Sequence, residues 1–259
     1  VILREDPRFF KRLAFDPWAH HPLIDGEMAT DATLDTLQGL VERTYLDQDV
    51  DSRKFGCAVE AVASETIWNP LKDHLLGLKW DGVNRLETWL ENTFKVPSTR
   101  INRKIQSRWL IQACARALDP GCKADTVLVL KGEQGFFKST ALKILATDKF
   151  FSDSKLRIEH RSVYRQIAAA WIHELAELSS VRKADVEDVK AFLGTTEDVY
   201  TPPYGKLPIR ALRRCVFCAT TNNEEFLRDP TGARRFLPIE IEHPGDLDWL
   251  REHRDVLIA

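Results

Sequence analysis

The sequence predicts an α/β fold: a parallel sheet with helices on both faces, preceded by a mostly helical region over residues 1–118. Three observations carry this. Apolar residues recur at three- and four-residue spacing along Thr33 to Val41 and Arg100 to Leu118, the period of an amphipathic helix. After Pro120 short apolar runs alternate with helical ones, the texture of strand–helix–strand units. Between the first apolar run, Thr126-Val-Leu-Val-Leu130, and the helical run Ala141-Leu-Lys-Ile-Leu-Ala146 lies a loop punctuated by two glycines.

In the first region, the turn Trp80-Asp-Gly82 precedes Asn84-Arg-Leu-Glu87, which has the form of a capping box and predicts a helix from Leu86 to Asn92. Pro97-Ser-Thr99 marks a break. Asp119-Pro-Gly121 marks another, and the boundary between regions 1–118 and 119–259 is expected there. The second region then reads as strand Thr126–Leu130, helix Ser139–Ala146 and the short run Phe150-Phe151. A polar helix around 159–168, an apolar run Ala169–Leu175 and a helix Ala184–Leu193 follow. Val199 to Ile209 holds Pro202-Pro203 and Gly205, an extended pair with a tight tip. Strands Cys215–Thr220 and Phe236–Ile241 and a helical run Leu247 to Ala259 complete the chain. There is no internal repeat or low-complexity tract.

Composition narrows the function classes. Hydrophobic residues make up 44% of the 259, enough for a sizeable core, and the net charge of −2 excludes a uniformly basic nucleic-acid coat. No apolar run approaches the roughly 20 residues of a membrane span, and the first residues lack a signal-peptide pattern. The start at Val1 and the end in a helical run read as a segment cut at both ends. Five scattered cysteines suggest reduced thiols and a cytoplasmic setting. Cys215 and Cys218 form a C-x-x-C, but residues three apart on a strand face opposite sides, which favours small buried hydrophobes over a metal site.

The loop Gly132-Glu133-Gln134-Gly135-Phe136-Phe137-Lys138-Ser139-Thr140 carries the chemistry. A strand, a glycine loop and Lys-Ser/Thr opening a helix form a nucleotide-phosphate site: loop N–H groups and the helix N-terminus face the phosphates. Lys138 is expected on the β/γ-phosphates and Ser139, with Thr140 beside it, on magnesium. The pattern G-x-x-x-x-G-K-[ST] is broken once, by Phe137 where glycine is usual.

Glu174 and Glu177 lie in Trp171-Ile-His-Glu-Leu-Ala-Glu-Leu178. At the C-terminal end of a buried strand, one carboxylate can hold the magnesium and another can polarise the attacking water. E-x-x-E also fits one face of a helix, although Trp171 and Ile172 favour the strand. Cys215-Val-Phe-Cys-Ala-Thr-Thr-Asn222 ends a strand in an amide at the same sheet edge, where Asn222, or less directly Asn223, can orient water or contact the γ-phosphate. Arg234 and Arg235 follow the turn Asp229-Pro-Thr-Gly232 and suit γ-phosphate stabilisation in a neighbouring subunit, or a DNA phosphate. Residues 201–240 hold seven Lys/Arg against four Asp/Glu. A hairpin tip with Tyr204 and Lys206 would suit a single-stranded backbone by stacking and charge, and a plain structural hairpin fits equally well.

In this order the motifs resemble the virulence-associated protein E family of phages, plasmids and genomic islands, which looks like AAA+ helicases of superfamily three. The matching stretches include Trp80-Asp-Gly-Val-Asn-Arg-Leu86, the phosphate loop, Glu174-Leu-Ala-Glu177, Ala184-Asp-Val-Glu-Asp-Val-Lys190, Thr220-Thr-Asn222 and Arg228-Asp-Pro-Thr-Gly-Ala-Arg-Arg-Phe236, from about residue 55 onward. The resemblance implies an AAA+-type P-loop core with Walker A at 132–140, Walker B at Glu174 and Glu177, sensor 1 at Asn222 and a trans arginine at Arg234 or Arg235. It also implies a ring of identical subunits, often with a primase domain upstream. This chain departs from the family in its Walker B acids, Glu174 and Glu177, which are three apart rather than adjacent. The expected activity is ATP hydrolysis with magnesium driving movement on single-stranded DNA. A nucleotide-binding scaffold with little turnover is the second expectation, and a P-loop phosphotransferase on a small molecule the third.

Overall fold

The computed structural model describes residues 1–17, 19–45, 49–156, 158, 160, 162–175, 186–201, 207–222 and 235–259, with the side chains of 186 and 187 left out. The chain forms two compact units, Val1–Pro70 and Leu71–Ala259. The division falls well before Asp119, because the long helix ending at Leu118 packs inside the second unit's core through Trp109, Leu110, Ala113 and Ala117.

The first unit contains helices α1 (Ile2–Glu5) and α2 (Pro7–Phe10), strands β1 (Leu13–Asp16), β2 (His21–Ile24) and β3 (Glu27–Met28), and helices α3 (Asp31–Tyr45) and α4 (Ser52–Ala63). The three strands form an antiparallel meander where helix was expected. Asp25-Gly26 makes the β2–β3 turn with φ of 53° and 83°. Two successive positive φ angles are what a two-residue hairpin turn needs, and Asp-Gly supplies them. Leu3, Phe9, Leu13, Ile24, Leu37, Phe55 and Val59 form this unit's core. Asp51 caps α4 by accepting from Lys54 N at 2.9 Å.

The second unit contains α5 (Pro70–Leu76), α6 (Trp89–Phe94), α7 (Arg100–Leu118), β4 (Val127–Gly132), α8 (Lys138–Ala146), β5 (Phe151–Ser152), α9 (Val163–Ala168), β6 (Ile172–Leu175), α10 (Val186–Gly194), β7 (Glu197–Tyr200), β8 (Ile209–Leu212), β9 (Val216–Thr221), β10 (Phe236–Ile241) and α11 (Leu247–Ile258). Asn84 accepts from Leu86 N at 3.1 Å, a local turn, so α6 starts at Trp89 rather than Leu86. Thr99 caps α7 through Asn102 N at 3.1 Å.

Five strands form a parallel sheet in the order β10-β4-β9-β6-β5. Both faces are covered, as a parallel sheet requires. On one face Leu128, Leu130, Ile172, Val216, Cys218, Ile239 and Ile241 pack with residues of α6, α7, α8 and α11. On the other Val127, Val129, Cys215, Phe217 and Ala219 pack with α9 and α10. Cys215 and Cys218 therefore lie on opposite faces, as their spacing predicts. Two indoles fasten α7: Trp109 Nε1 donates to Phe217 O at 2.9 Å, and Trp171 Nε1 to Ala113 O at 2.8 Å.

The order has a consequence for the site. β9 lies between β4 and β6, so the ends of three strands that are distant in sequence meet at one edge. The strand next after β4 in sequence, β5, is at the far side of the sheet.

Candidate functional site

The loop between β4 and α8 is shaped by its glycines for two different reasons. A Cβ on Gly132 would stand 2.3 Å from Ile241 O, so only glycine lets β10 lie this close to β4. Gly135 has φ +88° with nothing within 4 Å of the Cβ position, so there the need is conformational. Phe137 also has positive φ, 60° with ψ 26°, immediately before α8. A non-glycine residue in the left-handed region costs roughly 1–2 kcal/mol, which is the physical reason glycine is usual at this place. Its ring is 51% exposed. Phe136, by contrast, is partly buried and packs against the core. Its carbonyl accepts from Gly245 N at 3.1 Å. Gly245 is itself forced, since a Cβ would meet the Phe94 ring at 2.7 Å. Gly245 is thus an anchor of the loop that the sequence pattern did not reveal.

Lys138 is the first residue of α8 and only 8% exposed. Its Nζ donates to Gly132 O at 2.7 Å and Glu133 O at 2.6 Å. An ammonium has three donors, so one remains for an anion. Burial lowers the Lys138 pKa, and the Glu174 carboxylate counters part of that.

Glu174, on β6, is 5% exposed. Ser139 Oγ donates to its Oε1 at 2.7 Å, and Thr220 Oγ1 donates to the same oxygen at 2.5 Å. The two hydroxyls are 3.3 Å apart. Register explains the meeting: Glu174 pairs with Cys218 on β9, and Thr220 lies two residues on, on the same face. Glu174 Oε2 is buried without a hydrogen-bond partner. An orphaned carboxylate oxygen costs at least roughly 1–3 kcal/mol, so this position suits a cation. The donors are all oxygen, which fits magnesium, a hard ion that binds through one or two carboxylates with waters and phosphate oxygens. Among the described residues no group of three or more His, Cys, Asp or Glu could hold a metal by itself.

A cavity of about 390 Å³ opens here, lined by Gln134, Gly135, Phe137, Lys138, Ser139, Thr140, Thr220, Thr221 and Asn222. The structure therefore brings together the loop, Lys138, Ser139, Glu174 and exposed Asn222 from three strand ends. The hydroxyl of Thr220 is the residue that sequence reasoning passed over in favour of Asn222. Next to Glu174, His173 is fully buried on the opposite face of β6, edge-on to Phe217. Its Nε2 lies 3.1 Å from Ser154 O, and burial pushes its pKa down to about 4.

Arg235 lies elsewhere. It directly precedes β10, whose first residue, Phe236, pairs with Val127 at the start of β4. That is the sheet edge opposite the loop, about 17 Å away along six strand residues. Arg235 donates to Lys190 O and lies 3.7 Å from Asp125. The antiparallel pair β7–β8 forms the expected hairpin stem. Glu177, Asn223, Arg234, and Tyr204 with Lys206, lie outside the described residues.

Solved structures share this architecture. The apo structure of the NrS-1 C-terminal region (305–718) aligns with TM-score 0.55 and 13% identity over 98% of this chain and 68% of that one. The A form apo structure of the same region gives 0.52 and 13% over 90% of this chain and 59% of that one. No curated protein matches the sequence. Residues 75–259 match the virulence-associated protein E-like domain, well over half of the chain. The chain thus belongs to the virulence-associated protein E-like domain family.

Proposed function

We propose that this chain is the ATP-hydrolysing core of a DNA helicase, taking ATP with magnesium at the β4–α8 cavity. The observation that carries the reading is the convergence of Ser139 and Thr220 on one oxygen of Glu174, with the other oxygen buried and unpaired beside Lys138. Loop N–H groups and the start of α8 cradle the phosphates. Lys138 turns its remaining N–H to the γ-phosphate while the Gly132 and Glu133 carbonyls hold it in place. Ser139 and Glu174 would hold the magnesium ion, which would supply positive charge beside the transferred phosphoryl group. Asn222, exposed at the end of β9, orients the attacking water, and Glu177 polarises it. Arg235 is engaged within its own chain, so a contact to a neighbouring subunit's nucleotide in a ring falls to Arg234. Tyr204 and Lys206, in the sequence between β7 and β8, contact single-stranded DNA.

The test is ATP turnover with and without single-stranded DNA, in the wild type and in Lys138→Ala. DNA-stimulated turnover that is lost in Lys138→Ala is expected; equal turnover in the two proteins refutes the site. Phe137 favours a second reading, a nucleotide-binding scaffold with little turnover, because its strained backbone and half-exposed ring line the phosphate cavity. Turnover above that of a Glu174/Glu177 double variant would rule it out.

A further inference from the structure

A second cavity of about 390 Å³ lies along α8, lined by Thr140, Lys143, Ile144, Thr147, Asp148 and Arg251; Thr140 also lines the phosphate cavity. Thr140, Lys143, Ile144 and Thr147 are spaced i, i+3, i+4, i+7, so they form one helix face. That face spans about 10 Å from Thr140 to Thr147. We infer that this cavity holds the nucleoside part of a nucleoside triphosphate whose phosphates occupy the loop; the inference rests on the nucleotide reading above.

Four observations support it. Thr140 lines both cavities, so they adjoin, and a ligand extended past its side chain reaches from one to the other. Ile144 is half-buried and gives an apolar floor for a base. Arg251 offers a planar guanidinium that stacks on an aromatic ring. Arg251 is also well placed: one turn further along α11, buried Arg254 donates to Leu145 O at 3.0 Å and fixes that helix against the end of α8. Thr147 has φ 67° and ψ 160°, a conformation close to glycine-only, and such strain clusters at ligand clamps. Lys143 pairs with Asp148 at 3.1 Å and Arg251 with Asp248 at 2.8 Å. Both pairs are exposed, so little is lost when they rearrange around a ligand.

The experiment compares calorimetric binding of magnesium ATP and magnesium tripolyphosphate to the wild type, Arg251→Ala and Asp148→Ala. These side chains are exposed, so both variants should fold, as circular dichroism will verify. The expected result is a wild-type preference for ATP over tripolyphosphate. Arg251→Ala should weaken ATP about tenfold and leave tripolyphosphate unchanged. Equal wild-type affinity for the two ligands, or unchanged ATP binding in both variants, overturns the inference and leaves the phosphate site standing. Failure of both ligands to bind the wild type overturns the phosphate-site reading and this inference with it.

Discussion

Replacing Phe137 separates two effects that one residue combines. Its backbone is left-handed, at φ 60° and ψ 26°, and its side chain is about half exposed and lines the cavity between β4 and α8. Phe137→Ala removes the ring and keeps the strained backbone. Phe137→Gly removes both. The strain is worth roughly 1–2 kcal/mol, and glycine returns roughly 0.5–1 kcal/mol through its freer unfolded chain. The glycine variant should therefore be more stable than the alanine variant by about 1 kcal/mol, or about 2–4 °C in a unit of this size. Thermal unfolding of both proteins reads this directly. An alanine variant as stable as the glycine one would show that the backbone is not left-handed at this position. ATP turnover reads the second effect. If the ring crowds the phosphates, both variants turn over faster than the wild type. If both lose activity, the loop is built around the ring and the crowding argument is wrong.

Three other outcomes are expected. Glu174→Gln should abolish the effect of magnesium on ATP affinity while the fold is kept, because Ser139 and Thr220 can still donate to an amide oxygen; a magnesium effect that survives would place the cation elsewhere. Arg116→Met should cost about 3 kcal/mol in urea unfolding, because its buried guanidinium donates to Cys122, Cys215 and Thr195 carbonyls at 2.7, 3.2 and 3.4 Å. A loss below 1 kcal/mol would show that those carbonyls find other partners. His74 has its pKa lowered by burial and by Arg254, whose guanidinium lies 2.9 Å from its Nε2. The unfolded chain takes up a proton near pH 6.5 and the folded one only at lower pH. Stability should therefore fall as pH drops below about 6.5, and less steeply in His74→Gln; identical slopes would refute the neutral histidine.

Much of the second unit was legible because its signals are local. Helix α7 has the predicted bounds, and β4, α8, β9 and β10 lie within two residues of theirs, since each is a clear apolar run or period and all but β9 have a glycine or proline close to a boundary. The meander of the first unit was missed although Asp25-Gly26 is a hairpin signal; the strands beside it are too short to show alternation. Buried Arg116, Arg213 and Arg254 were not legible, because arginine is rarely fully buried and only tertiary carbonyls or carboxylates explain it. The split between Glu174 and Arg235 follows from topology. In a parallel sheet the residue before a strand lies at the edge opposite the residue after one, and Arg235 directly precedes β10. Thr220 was overlooked because its role comes from a register between β6 and β9 that no single segment encodes.

Titration calorimetry of magnesium ATP into the wild type and Lys138→Ala asks whether the β4–α8 cavity binds a nucleoside triphosphate through Lys138. A hydrogen bond from a charged group is worth about 1.5–3 kcal/mol, so the wild type should bind measurably and Lys138→Ala should bind at least about tenfold more weakly. Equal affinity of the two proteins for ATP would contradict this role of Lys138.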